Sequence, residues 1–309
     1  MQSTNYSRAE SRNGLLLIML AAVMWGTVGI TTKTLYGLSA TNPLSIGFFR
    51  LALSLPVLFA VCWATQKRQM FNVARRDLAL MLLIGMMTAL YQVCYFSAIE
   101  RTGVALATIV TLCTAPVMVA VISVFATKQR PSAYVLLALT GALAGTALLV
   151  GSQTGTCSAN ISGILLALGS AFGYSIVTLV TRKLAGRYHP FQSIAISFSF
   201  GAAILFIFAW FQGIVLTYTP VGWTLLFYLG TIPTALAYVL FIAGMRSTTA
   251  TVASISTLLE PLVATILAWL IFGERFSRMG FVGVALLSGS LLILYIGGTA
   301  AIRKIVETG

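Results

Sequence analysis

Ten apolar runs, each about as long as a helix needs to cross a bilayer, occupy most of this sequence and leave little for anything else. They fall at residues 14–36, 43–64, 77–99, 102–124, 132–150, 160–182, 191–211, 221–243, 248–270 and 279–297, bounded by charges, prolines and glycine clusters. At about 20 residues per crossing, ten crossings take roughly 200 of the 309 residues, and the remainder is spread over loops and two tails. No loop is then long enough for a soluble domain, which excludes a fused ATPase, a receptor ectodomain and a DNA-binding module. The composition agrees: 59% apolar and 8% charged, against about half and about a quarter in soluble domains. The expectation is an all-α membrane protein with ten transmembrane helices.

Nineteen basic residues against six acidic ones give a net charge of +13, which membrane topology explains without nucleic acid. With the N-terminus inside, the cytoplasmic segments collect most of the Lys and Arg, from Arg8 and Arg12 through Lys67, Arg75 and Arg187 to Arg303 and Lys304. The outer side collects only Lys33, Arg101, Arg275 and Arg278. This places both termini in the cytoplasm of a multi-pass plasma membrane, the inner membrane of a bacterium. Cys62, Cys94 and Cys113 lie in apolar runs and Cys157 in a polar loop, so no disulfide is expected. The first run follows Arg8 and Arg12 as a signal peptide would, but many more spans follow it, so it reads as a retained first helix.

A shift of 145 residues lays Phe96 on Phe241, Arg101 on Arg246, Pro116 on Pro261 and Ser132 on Ser277. A shift of 147 lays Trp25-Gly26 on Phe172-Gly173 and Pro43 on Pro190. Each half holds five spans, an odd number, so the second half enters the membrane from the opposite side: two inverted five-helix repeats. The organisation expected is a tail at 1–13, repeats at 14–150 and 160–297, an outer linker at 151–159 and a tail at 298–309.

Met24-Trp25-Gly26 in span one, Phe49-Arg50 in span two, the run from Ser97-Ala98-Ile99 to Pro116, Leu259-Glu260-Pro261, and Gly273-Glu274-Arg275 before a glycine-rich last span carry a resemblance. Over residues 14–297 the chain resembles the ten-helix, EamA-type transporters of the drug/metabolite transporter superfamily and is similar to bacterial amino-acid exporters. The resemblance implies alternating access through a central cavity lined by spans one, three, four, six, eight and nine. It also implies export of small organic solutes, amino acids first and aromatic and neutral ones among them, with drug or other metabolite efflux as the alternative.

Glu260 is a carboxylate deep inside span nine, about 18 Å from the cytoplasmic end, and Arg50 in span two lies at a similar depth. Charges at that depth are costly unless partnered. Neither has a charged equivalent in the repeat, since Arg50 aligns with Ser197 and Glu260 with Ala115. Two readings stand open: a structural ion pair, or Arg50 meeting a substrate carboxylate while Glu260 takes an ammonium group or a coupling proton. Trp25, Tyr91, Gln92, Tyr95, Tyr174, Tyr228 and Tyr238 lie at mid-depth, and Thr111 and Ser256 flank the prolines as substrate-facing hydroxyls. A buried tyrosine hydroxyl needs a partner that lipid does not supply. Tyr91 and Tyr95 are four residues apart and share a helix face. Pro116 and Pro261 each remove a helix hydrogen bond and are candidate hinges. Gly141-x-x-x-Gly145 and Ser288-Gly289-Ser290 permit close helix packing, within the chain before between chains.

The sequence has no glycine-rich phosphate loop, so a gradient rather than ATP is the expected energy source. It has one histidine, His189, and no His or Cys cluster, so no metal, cofactor or enzyme activity is expected. Scattered hydroxyls do not make a continuous channel lining. The partners expected are a small-molecule substrate and the lipid bilayer. Direction, coupling ion and oligomeric state are left open.

Overall fold

The computed structural model describes residues 8–102, 104–127, 132–151, 161–272 and 278–307. Cys157, Lys128, Arg130, the linker after Gly151 and the segment Gly273-Glu274-Arg275 lie outside the described residues, as do the side chains of Lys33 and Glu100.

The chain is all-helical: α1 (Arg8–Gly26), α2 (Val28–Leu38), α3 (Pro43–Gln66), a 3-10 turn (Lys67–Phe71), α4 (Arg75–Thr102), α5 (Val104–Thr127), α6 (Ala133–Gly151), α7 (Ile161–Leu184) and α8 (Pro190–Gln212), then α9 (Pro220–Gly230), a π turn (Thr231–Leu236), α10 (Ala237–Met245), α11 (Ala250–Ser256), α12 (Leu259–Phe272) and α13 (Arg278–Glu307). Among the described residues, seven helical stretches are long and apolar enough to cross a membrane. Shorter apolar helices at Val110–Ala126, Ala133–Leu148 and Ala250–Ala264 fall in the fourth, fifth and ninth apolar runs. Large apolar side chains stay exposed along the outside, among them Leu16, Leu137, Leu165, Phe208 and Ile293, as lipid contact requires.

Local chemistry starts and stops these helices. The Asn42 side chain accepts from Ser45 N at 2.8 Å ahead of Pro43, and Thr219 accepts from Gly222 N at 3.1 Å ahead of Pro220. Left-handed residues end α3 and α8, Lys67 at φ 50° and Gly213 at φ 91°.

Two pairs of repeat-equivalent helices pack against each other: α3 on α8, and α6 on α13. α3 and α8 run antiparallel. At one end Asn42 Nδ2 donates to Gly213 O at 2.7 Å and Val215 N donates to Ser45 Oγ at 2.9 Å; at the other Gln192 Nε2 donates to Met70 O at 2.9 Å. Ser45 and Gln192 are equivalent under the 147-residue shift, so the start of each helix grips the chain leaving the other. In the second pair, Gly145 rests on the backbone of Gly283 and Leu287, and Gly141 on Ser290. The small-residue motif of α6 is thus used within the chain.

Candidate functional site

Three of the apolar helical segments are interrupted, and the interruptions meet. The first lies between α1 and α2 at Thr27. Thr27 N bonds back three residues to Met24 O at 3.2 Å, and its hydroxyl donates to the same carbonyl at 2.7 Å. With that proton committed, Tyr228 Oη of α9 donates to Thr27 Oγ1 at 2.9 Å. The second lies between α11 and α12. Pro261 has no N–H to give to Thr257, and the chain crosses the gap with three-residue bonds, Leu258 N to Ile255 O and Glu260 N to Thr257 O, both 3.0 Å. The third is the π turn Thr231–Leu236, which contains Pro233. α1 packs on α10, α12 and the π turn. Gly26 lies on Glu260 O and Val263, so close that a Cβ there would lie within 3.0 Å of both.

Around this junction lies a tyrosine network. Tyr91 and Tyr238 share a hydroxyl–hydroxyl bond of 3.0 Å. The Tyr91 ring meets Tyr174 edge-on at 6.0 Å, and Tyr174 Oη donates to Thr257 Oγ1 at 3.3 Å, one turn before Glu260. Trp25 and Phe198 each stand edge-on to Tyr238, with centroids 4.9 Å away. Tyr95 faces α5 instead, bonding Thr108 Oγ1 at 2.7 Å. Gly173 admits Tyr91, whose Cβ would lie 3.1 Å from a side chain added there.

Arg50 and Glu260 lie within electrostatic reach of each other and of Tyr91. They do not form an ion pair. An ion pair within 4 Å does join Arg187 with Asp77, away from this site. Arg50 Nε donates to Thr234 Oγ1 of the π turn, a long bond of 3.4 Å. Glu260 sits in the first turn of α12, where the positive helix end offsets a carboxylate without a cation beside it. At the site the buried Trp25 indole N–H has no partner among the described residues, a donor left for a ligand or water. Gln92, buried in α4, also has its Oε1 unpartnered, but among the described residues no contact ties it to the tyrosine network.

Of the residues singled out in the sequence, Trp25, Tyr91, Tyr174 and Tyr238 come together, and Arg50 and Glu260 join them through space. Thr111 does not enter the network; its hydroxyl donates to Ala167 O at 3.2 Å. Ser256 bonds back to Val252 O at 2.8 Å. The two prolines differ: Pro261 sits at a helix break, whereas α5 runs unbroken through Pro116. Sequence reasoning missed Thr27, Phe198 and Thr234. For Thr234 a signal existed: Pro233 inside an apolar run.

At the cytoplasmic end expected from the charge pattern, the turn between α7 and α8 ties the halves. Asp77 accepts from Arg187 Nη1 at 3.0 Å and Tyr188 Oη at 2.9 Å, and Arg246 Nη2 donates to Tyr188 O at 3.2 Å.

Comparison with known proteins agrees with this arrangement. The EamA-like transporter family matches the chain twice, over residues 12–151 and 161–296. "Uncharacterized transporter YwfM" of Bacillus subtilis is 32% identical over 289 residues, 94% of each chain. "Uncharacterized inner membrane transporter YicL" of Salmonella typhimurium is 27% identical over 293 residues, 92% of this chain and 96% of its own. A protein solved by crystallography shares the fold, with a TM-score of 0.80 at 20% identity over 91% of this chain and 97% of that one. With matches over both halves, nearly full-length relatives named as transporters and an all-helical body of membrane-crossing length, the chain belongs to the EamA-like transporter family and is a membrane transporter.

Proposed function

We propose that this transporter is a gradient-driven exporter of amino acids, aromatic and neutral ones foremost, working by alternating access in the bacterial inner membrane. In this reading the ten spans form two inverted five-helix repeats with both termini cytoplasmic. The antiparallel contact of the equivalent helices α3 and α8 and the double family match support it. The observation that carries the substrate assignment is the pairing of Arg50 and Glu260 at one site without an ion pair. Opposite charges at membrane depth that do not satisfy each other suit a ligand bearing both signs: carboxylate on Arg50, ammonium on Glu260. The rings of Trp25, Tyr91, Tyr174 and Tyr238 give such a ligand an apolar, aromatic wall. Pro261 is the hinge of this scheme, and Pro116 acts as its counterpart in the other half.

Efflux of aromatic cations is the second reading, favoured by the Trp25, Phe198 and Tyr238 ring cluster beside a carboxylate. The deciding experiment is uptake of a labelled amino-acid panel into proteoliposomes, with and without a pH gradient, for the native chain and Glu260→Gln. Saturable amino-acid uptake that the gradient stimulates only in the native chain is expected. Uptake insensitive to the gradient in both refutes the proton role of Glu260. Absence of amino-acid uptake in folded protein, with cation uptake present, moves the assignment to the second reading.

A further inference from the structure

Several helical threonines in this chain turn their hydroxyls back onto their own helix: Thr31 onto Thr27 O, Thr178 onto Tyr174 O, Thr224 onto Pro220 O and Thr231 onto Phe227 O. That is the ordinary way to satisfy a hydroxyl where lipid offers nothing. Thr234, like Thr111, reaches another helix instead, and there it meets a charged side chain. Its side chain is 1% exposed, and its hydroxyl meets Arg50 Nε across the gap to α3.

The backbone explains the departure. Thr234 lies in the π turn, directly after Pro233, where the regular four-residue ladder is lost and the side chains turn off the α-helical rows. Gly230, one turn earlier, brings this segment against α3: a Cβ there would lie 2.8 Å from Leu53 Cβ and 3.2 Å from the Leu53 carbonyl carbon. Gly230 against Leu53 and Thr234 against Arg50 are successive steps of one contact, so the close approach and the hydrogen bond come together.

The consequence falls on the guanidinium. Arg50 engages Thr234 through Nε, and no carboxylate comes within 4 Å of it among the described residues. With Nε taken, the side-on grip of an Nε–Nη pair is closed, and the end-on fork of Nη1 and Nη2 remains, matched to the two oxygens of a carboxylate. We infer that Thr234 is a positioning residue for substrate selection: it sets the Arg50 fork so that the transporter prefers solutes with a free carboxylate over their amides. This rests on the reading of Arg50 as a carboxylate contact.

The test compares the native chain, Thr234→Val, Thr234→Ser and Arg50→Gln in proteoliposomes, reading KM and kcat separately for phenylalanine and phenylalaninamide. Native protein should favour phenylalanine. Thr234→Val, which keeps the shape and removes the acceptor, should raise KM for phenylalanine roughly tenfold with KM for the amide unchanged, as loss of one hydrogen bond to a charged group implies. Thr234→Ser should restore the native ratio. Equal discrimination by native and Thr234→Val, or failure of Thr234→Ser to restore it, overturns the inference while leaving Arg50 in place. If Thr234→Val does not fold, Thr234→Ser and Thr234→Ala carry the comparison, and equal discrimination by those two overturns it. Native discrimination retained by Arg50→Gln, or no phenylalanine uptake by the native chain, refutes the carboxylate reading itself and the inference with it.

Discussion

Replacing Asp77 by Asn isolates one contact between the chain halves. Asp77 is 7% exposed and lies in the first turn of α4, where a negative charge is favoured. Its two oxygens hold Arg187 and Tyr188, and Tyr188 Oη in turn accepts from Ala74 N at 3.2 Å. The Arg187 side chain is 59% exposed, so its share is screened and contributes about 0.2–1 kcal/mol. The Tyr188 bond is made to a charge on a buried residue and contributes about 1.5–3 kcal/mol. Asn keeps the size and one acceptor, so the net loss should be about 1–3 kcal/mol, or roughly 5- to 150-fold in the opening equilibrium of the turn. Hydrogen exchange of the amides of Ala185 and Arg187, which are bonded to Thr181 O and Leu184 O, reads that opening directly. Exchange there should accelerate by that factor in Asp77→Asn, while Val215 N, held by Ser45 at the other end of α8, keeps its rate. Unchanged exchange at 185–189 would refute the reasoning, because the turn would then be held without Asp77.

Two further perturbations test other parts of the frame. Gly145→Ala places a Cβ within 3.0 Å of the backbone of Gly283 and Leu287 and should cost about 1–3 kcal/mol in thermal unfolding in detergent, whereas Gly289→Ala, with nothing within 4 Å, should be neutral or slightly stabilising; equal stability of the two would refute the close α6–α13 packing. His189, at the start of α8, has its pKa held below the ordinary 6.5 by burial and then by the nearby Arg246 charge. The unfolded chain therefore takes up the proton first as pH falls, so stability present above about pH 6.5 is lost below it, and His189→Gln should shrink the drop in Tm between pH 7.5 and 5.5; an unchanged drop would remove His189 as its source.

The membrane class and the positions of the apolar helices were legible because crossing a bilayer demands length and apolarity, and both are written into the ten runs. Glu260 and Pro261 were legible for a related reason: a charge and a helix breaker are conspicuous in an apolar span. The facing of the helices was not. In lipid both the buried and the exposed side of a span are apolar, so periodicity does not tell Thr111, committed to Ala167 O, from Thr257, which joins the tyrosine network. Tyr91 and Tyr95, four residues apart, share a face by spacing, yet one meets Tyr238 and the other Thr108, a division set by which helix lies opposite. The α1–α2 break rests on a threonine bonding to a carbonyl three residues back, and Thr65 and Thr140 do the same without a break.

The departures from internal repetition coincide with the chemistry. Where the halves match, they form a frame: α3 grips α8 through equivalent residues, and α6 lies on α13 through small ones. Where they differ, the helices are interrupted. The first span breaks at Thr27, but its equivalent α7 runs on through Phe172-Gly173; the segment around Pro233 forms a π turn, but α4 does not; Pro261 stands at a break, but α5 continues through Pro116. A proline is therefore not sufficient to interrupt a span here. At Pro261 the adjacent Thr257 bonds Ser254 O and accepts from Tyr174, so the break there is tied into the tyrosine network, which Pro116 is not. The two unrepeated charges lie at these unrepeated interruptions, Glu260 at the start of α12 and Arg50 opposite the π turn. If the ligand has two unlike ends, as the proposed function has it, unlike groups must hold it, and Arg50 and Glu260 stand only where the halves differ.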